Sequence, residues 1–256
     1  MNSISVVIIT FNEEENIARC LESIKLIADE IIIVDSFSTD RTKEIVADYN
    51  ARFYPRAWEG YSSAKNFGNE KVTQDWILSL DADEALDETL KKSLIEFKNT
   101  DAKSSAYEVN RLTNYCGHWV RYCGWYPDRK LRMWRKGEGV WDGVLHEKVV
   151  LKTTTNSALL KGNLLHYSFP SISHHVKTLN SFSEVAAKDL VEKRKTVLFL
   201  VHILLNPLYT FLNKYFLRLG FLDGYYGFVI SSLSAFANFL KYVKAYQIKR
   251  ALRRQI

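Results

Sequence analysis

The sequence predicts an α/β fold built on a mostly parallel sheet. Three observations carry that prediction: short apolar runs at residues 5–10 (SVVIIT), 30–35 (EIIIVD) and 76–80 (WILSL), helical spacing between them, and acidic or polar residues where each run ends. An apolar run without polar alternation suits a strand covered on both faces, the usual state of a parallel sheet. Open α/β sheets bind ligands at the carboxyl ends of their strands.

The first strand occupies 5–10, and Ile17, Leu21 and Ile24 recur after it at helical spacing. The second strand is 30–35, and a helix follows Ser38-Thr39-Asp40. Residues 51–54 make a short third strand and 76–80 the fourth, so the pattern is βαβαβ with right-handed crossovers. From 101 to 165 Trp, Tyr, Gly and Arg become frequent and periodicity weakens. That stretch reads as short strands and loops that extend the sheet and cover its binding edge. Residues 174–195 read as a helix.

Two uncharged stretches follow, 196–213 and 224–240, of 18 and 17 residues. A membrane span needs about 20 apolar residues. His202, Asn206 and Pro207 interrupt the first stretch, and Ser231, Ser232, Ser234 and Asn238 dilute the second. Helices lying in a membrane interface are therefore expected rather than helices that cross it. Tyr209, Phe211, Tyr215, Phe216, Tyr225 and Tyr226, with Lys241, Lys244, Lys249, Arg250, Arg253 and Arg254, suit an anionic lipid surface. Such binding would weaken as salt rises. A core-packing helical pair with a solvated basic end is the other reading of the same residues.

At 256 residues and 47% hydrophobic, the chain can bury the core of one α/β domain with something appended. The formal net charge of +6 is unevenly placed: from Lys188 onward 12 Lys/Arg face 3 Asp/Glu, while residues 1–187 carry 23 against 26. Basicity confined to an aromatic tail points to lipid as the partner and not to nucleic acid. Cys20, Cys116 and Cys123 form no CxxC pair, and residues 1–10 have neither a basic nor a long apolar leader region; both favour the cytoplasm.

The chemistry sits at three strand ends: Thr10-Phe11-Asn12-Glu13, Asp35 through Asp40, and Asp81-Ala82-Asp83-Glu84. Adjacent strands of a parallel sheet would bring these into one crevice, the expected place for a nucleotide. No Gly-x-Gly-x-x-Gly follows the first strand and no Gly-x-x-x-x-Gly-Lys-Ser/Thr occurs, which argues against a dinucleotide site and a P-loop. Two carboxylates one residue apart, Asp81 and Asp83, can hold a hard cation between themselves and a phosphate. Asp35 with Asp40 would also serve simply to cap the helix they precede.

In order, "SVVIITFNEEENIARCLESI", "EIIIVDSFSTDRT", "WEGYSSAKNFGNE" and "DWILSLDADEAL" resemble the donor-binding half of the inverting family 2 glycosyltransferases with the GT-A fold. "GWYPDRKLRMWRKGEGVWDGVLHEKV" and "NKYFLRLGFLDGYYGF" are similar to the bacterial lipopolysaccharide core β-1,4-glucosyltransferases. The resemblance implies a donor-binding half over 1–100, an acceptor-binding half over 101–173 and a helical membrane-associating tail over 174–256. It implies that Thr10, Phe11 and Glu13 border the uridine, that Asp35 hydrogen-bonds the base or ribose, and that Asp81 faces the ribose or the metal. Asp83 would ligate Mg2+ or Mn2+ at the diphosphate, His146 would complete the metal shell, and Lys65 would put a positive charge beside the sugar or phosphate.

The chain departs from many family 2 members in lacking a Glu-Asp pair for the catalytic base. Glu147 ranks first for that role and Asp128 second, with Asp142 behind them, since an inverting transfer needs one carboxylate at the acceptor hydroxyl. Arg129 and Arg132 would bind a phosphorylated sugar acceptor. The function implied is a hexosyltransferase acting at the cytoplasmic face of the bacterial inner membrane. It would move glucose from UDP-glucose to an inner-core heptose of a lipid-anchored lipopolysaccharide or lipooligosaccharide. Transfer to a polyprenyl phosphate is the second enzymatic reading, and a non-catalytic, membrane-recruited module that binds sugar nucleotides is the reading from another class.

Overall fold

A computed structural model describes residues 1–143, 147–153, 157–193 and 195–253. The strands β1 (Ile4–Thr10), β2 (Glu30–Asp35), β3 (Ala51–Pro55) and β4 (Trp76–Asp81) alternate with α1 (Ile17–Ile24), α2 (Thr42–Ala47) and α3 (Tyr61–Glu70). After them come β5 (Glu84–Leu86), α4 (Glu88–Asn99), β6 (Ala106–Tyr115), β7 (His118–Trp119), β8 (Asp128–Arg135), β9 (Gly139–Asp142), β10 (Lys148–Leu151) and β11 (Ala158–Phe169).

The main sheet has the order β3-β2-β1-β4-β8-β6-β11-β5, with β7 beside β6, and β9 and β10 form a separate hairpin. Its first four strands are parallel, and β8 joins β4 antiparallel. The expected parallel sheet is thus confined to the first half of the chain, and the fold is a mixed α/β sheet. Register places Thr10 opposite Asp35, and Ile9 opposite Asp81, so the three polar strand ends do lie side by side.

Two compact units divide the chain: Met1–Leu112 with Asp128–Tyr167, and Thr113–Pro127 with Ser168–Ile256. In the first, alternate residues of the parallel strands feed two cores. Val6, Ile8, Trp76, Leu78 and Leu80 pack with Ile17, Leu21 and Ile24 of α1 and with Leu90, Leu94 and Phe97 of α4. Val7, Ile9, Ile32, Val34 and Ile77 pack with Ala64 of α3 and with Trp134 and Trp141. A strand buried on both faces has no polar side to show, which is why these runs lack alternation. Helix α3 lies so close to β1 that a Cβ at Gly68 would sit 2.4 Å from Val7 Cγ1; glycine there sets the depth of the whole helix.

Between 101 and 165 the strands are longer than expected, β6 having 10 residues and β11 having 12. Arg111 on β6 and His166 on β11 enter the acidic cluster described below, so charged and apolar positions do not keep a clean period of two.

The second unit carries α5 (Ile172–Glu192), α6 (Asn206–Leu212) and α7 (Gly224–Arg253), with π-helical turns at Phe199–Leu205 and Asn213–Leu217 and a 3-10 turn at Gly220–Asp223. Among the described residues no helix is long and apolar enough to cross a membrane. Its aromatic core surrounds buried Tyr115, with Trp125, Phe169, His175 and Tyr226 in ring contact. Tyr115 Oη lies 2.9 Å from His175 Nδ1.

Burial, and secondarily the neighbouring His174, push the His175 imidazole down to about 4 from its usual 6.5. The folded protein therefore keeps His175 neutral where the unfolded chain would protonate it, and the sign is loss of stability as pH falls from 6.5 toward 4. The shift amounts to up to about 3 kcal/mol. Denaturant unfolding followed across that window should show the loss, and His175→Gln should remove this component of it. An unchanged slope in the variant would mean that His175 is already charged in the fold.

Candidate active site

The site is built at the end of β4, where Asp81, Asp83 and Glu84 leave the sheet. Asp81 lies between two cations: Lys65 Nζ is 2.9 Å from its Oδ1, and Arg132 Nη2 is 3.0 Å from its Oδ2. Lys65 is also 3.2 Å from Glu147 Oε1 and stands 4.3 Å over the Trp141 ring. Arg132 reaches Glu84 Oε1 at 2.5 Å, and Arg111 links Glu84 (3.7 Å) to Asp128 (2.8 Å). The charges alternate without a break: Asp128, Arg111, Glu84, Arg132, Asp81, Lys65, Glu147. Burial by itself would raise the Asp81 pKa, but Lys65 and Arg132 outweigh it and hold the carboxyl well below the usual range. Conversely, burial works against the Arg132 charge, and Glu84 and Asp81 more than restore it.

Lys65 and Arg132, expected at the donor and at the acceptor, are both members of this ion-pair chain. Both side chains are buried and their charged heads are spent on Asp81, Glu84 and Glu147. Asp81 likewise is engaged by protein cations. Of the two candidate bases, Asp128 has both oxygens occupied, Oδ1 by Lys130 and Oδ2 by Arg111. Glu147 shares one oxygen with Lys65, and among the described residues its other oxygen has no partner. Helix α3 fixes this neighbourhood from one face: Asn66 exchanges two 2.9 Å hydrogen bonds with the Trp141 backbone, and the Ser62 hydroxyl donates to the Gly143 carbonyl.

Asp83 is the carboxylate of the pair that no Lys or Arg of the described residues neutralises; His166 Nε2 stands 3.2 Å from Asp83 Oδ2. The backbone N–H of Tyr167 donates to the Asp83 carbonyl. Among the described residues His166 Nδ1 is buried without a hydrogen-bond partner. His166 went unnoticed in the sequence because it comes to Asp83 only through β11 pairing with β5, where it sits opposite Glu84. His146, the expected metal ligand, lies outside the described residues. Among those described, no group of three His, Cys, Asp or Glu is placed to hold a metal. The Asp83–His166 set still fits a hard divalent ion that draws its remaining ligands from a substrate diphosphate, since Mg2+ commonly binds through one or two protein groups plus phosphate oxygens.

On the neighbouring strand ends, Thr10 is buried and its Oγ1 has no hydrogen-bond partner among the described residues, Glu13 is half-buried, and Phe11 is exposed. Burial raises the Glu13 pKa, Asn16 opposes it, and Asp83 adds to it. Asp35 is occupied by Ser38, accepting from its N–H at 2.8 Å and from its hydroxyl at 2.5 Å. Asp40 accepts from the N–H of Thr42, the first residue of α2, whose N-cap position is Arg41 and carries no side-chain cap. Asn12 and Phe37 have positive φ, 54° and 61°, and Ser38 Oγ accepts from the Asn12 N–H, so the loops after β1 and β2 are tied together in strained form. Exposed Phe37, Trp58 and Tyr61 add aromatic surface near the acids. Burial, then Asp81, Glu147 and Asp83, raise the Tyr61 pKa. None of these three was apparent from sequence, because exposed aromatics carry no local signal.

A cavity of about 450 Å3 opens beside Asp81 and Glu147, lined by Arg111, Arg129, Lys130, Arg132 and Lys148. Arg129 and Lys148 have no acidic partner among the described residues. Asp142 is exposed on β9, opposite Lys148 of β10, and forms no ion pair among the described residues.

A family model described as "Glycosyl transferase family 2" matches residues 5–155. The lipopolysaccharide core biosynthesis glycosyltransferase LpsC of Rhizobium meliloti is 33% identical over 256 residues, 95% of this chain and 92% of the relative. An uncharacterized glycosyltransferase of Rickettsia prowazekii is 34% identical over 95% of this chain and 87% of its own length. Among solved structures, the crystal structure of S. aureus TarS 1–349 aligns with 99% of this chain and 92% of that one, at 15% identity and a TM-score of 0.47.

The ion-pair chain makes a stability prediction. Removing one member of a buried pair leaves an uncompensated charge, at a cost of about 3–5 kcal/mol. Lys65→Met, which keeps the stem against Trp141, should destabilise the protein by that order in urea unfolding, and Lys65→Met with Asp81→Asn should recover part of it. Additive losses in the double variant would show that the two groups are not energetically paired.

Proposed function

Because the chain belongs to glycosyl transferase family 2, we propose that it is an inverting hexosyltransferase that moves glucose from UDP-glucose to an inner-core heptose of a lipid-anchored lipopolysaccharide acceptor. The observation that carries the reading is the pairing at the end of β4: Asp83 beside His166, and, across Lys65 from Asp81, the half-free carboxylate of Glu147. LpsC supports the lipopolysaccharide acceptor, being similar to this chain over nearly all of both. Work on such an acceptor would be done at the cytoplasmic face of the inner membrane, by a peripheral protein drawn there partly by its basic tail.

In the proposed reaction the acceptor hydroxyl attacks the anomeric carbon of the donor from the face opposite the diphosphate. Its proton passes to the free oxygen of Glu147, the new C–O bond forms, and the bond to the leaving diphosphate breaks with inversion. Lys65 orients Glu147 through its other oxygen and leaves the accepting one open. Asp83 and His166 would hold Mg2+ or Mn2+, which when bound supplies Lewis-acid compensation for the charge building on the diphosphate. The linked loops around Asn12 and Asp35, with Phe11 and Phe37 beside them, would bind the uridine. Arg129 and Lys148, whose charges no described acid balances, would take an anionic group of the acceptor.

That basic lining also suits a phosphate nucleophile, as in transfer to a polyprenyl phosphate, which needs no base. Glu147→Gln separates the two: transfer to a sugar hydroxyl should fall about 10²-fold or more with donor affinity kept, whereas transfer to a phosphate should not. Asp128→Asn is the control and should stay active. The reaction itself is tested with a panel of UDP- and GDP-sugars, Mg2+ or Mn2+ and deep-core lipopolysaccharide, read as nucleotide release and added sugar mass. No release with any donor would favour the non-catalytic reading.

A second outcome concerns the ion. Turnover should stop in EDTA, and Asp83→Asn and His166→Gln should each weaken UDP retention in the presence of Mn2+, the latter by about 10-fold or more, as loss of one ligand implies. Full activity in chelator would remove the metal from the mechanism.

A further inference from the structure

The second unit exposes apolar side chains far beyond ordinary surface. Leu200, Leu204, Leu208 and Leu212 recur every fourth residue on one side of the helical segment 198–222 and are all exposed, and Phe216 and Leu217 continue the face. Its other side is packed against α7: Ile203 is buried, His202 meets the Tyr242 ring at 4.9 Å, and Thr210 Oγ1 accepts from Asn238 Nδ2 at 2.7 Å. The exposed leucines are therefore held outward by a formed interface.

The segment 198–222 contains no carboxylate and only two cations. Lys214 turns inward and donates to the Cys123 carbonyl at 3.2 Å, and Arg218 lays its stem along Gly124, its aliphatic carbons 3.6 Å from where a Cβ there would lie. That leaves Arg218 as the single exposed charge. Monomeric soluble proteins rarely expose contiguous apolar patches of this extent, and a patch of leucine and aromatic residues on helices whose backbone groups are bonded internally is compatible with hydrocarbon. Charge complementarity selects the partner: from Lys188 onward the sequence holds 12 Lys/Arg against 3 Asp/Glu, a match for anionic headgroups.

We propose that the face of residues 198–222 is a membrane-inserting surface, seated in the acyl layer of a bilayer without crossing it, with the tail's cations at the headgroups. Attachment is then hydrophobic first and electrostatic second, the reverse of the order that composition suggests. This extends the membrane partner proposed above. Vesicle binding is read without donor or acceptor, so its failure leaves the transferase reading standing.

The test is flotation of the full chain with vesicles of phosphatidylcholine alone and of phosphatidylcholine with phosphatidylglycerol, at low salt and at about 1 M NaCl, where the Debye length is about 3 Å. Binding to both vesicles should survive high salt. Leu204→Asp with Leu208→Asp, at exposed positions that leave the thermal melt unchanged, should lower the bound fraction about tenfold or more, because a charge in the acyl layer is costly. Lys241→Gln with Arg250→Gln should weaken binding only to the anionic vesicles. Three results would each overturn the proposal: no binding to phosphatidylcholine alone, loss of all binding at high salt, or a lipid-free dimer that the aspartate variants dissociate.

Discussion

The buried ammonium of Lys65 is the constraint on which the site depends. An isolated charge in that position would be prohibitive, so the fold must bring acids to it. It does so from two directions, with Asp81 at the end of β4 and Glu147 just before β10. Arg132 then answers the remaining oxygen of Asp81 and the buried Glu84, and Arg111 carries the series to Asp128. Each ion in the series is tolerable because its neighbours are present. The two ends differ accordingly: Asp128 is saturated by cations, whereas among the described residues Glu147 keeps an oxygen without a partner.

That arrangement requires α3 at a fixed depth. Gly68 lets the helix approach β1 more closely than any side chain would permit, Ala64 fills the second core, and the same helix presents Ser62, Lys65 and Asn66 to the segment around Trp141. Packing on one side of α3 and polar contacts on the other are therefore a single geometric requirement. The two-faced burial of β1 and β4 supplies the rigid reference for it, since both cores must be satisfied together.

The helical unit follows a different physical logic. Its core is aromatic and holds a neutral histidine, and its surface over 198–222 leaves leucines outward that no described residue covers. In the first unit, apolar residues are interior and charges are organised into pairs. In the second, the apolar face is external.

Much of this was legible in the sequence. The runs SVVIIT, EIIIVD and WILSL determined the strands, because burial on both faces leaves an unmistakable composition, and the acids after them determined which edge carries the chemistry. The side-by-side placement of Thr10, Asp35 and Asp81 follows from parallel topology alone. Other things were decided only by tertiary structure. His166 reaches Asp83 through pairing of strands some eighty residues apart, and Lys65 and Arg132, which look like free ligand-binding cations in one dimension, are consumed by acids that folding brings to them. Charge and exposure depend on which neighbours arrive in space: a strand announces itself by the residues it contains, but the availability of a side chain is set by the partners it acquires.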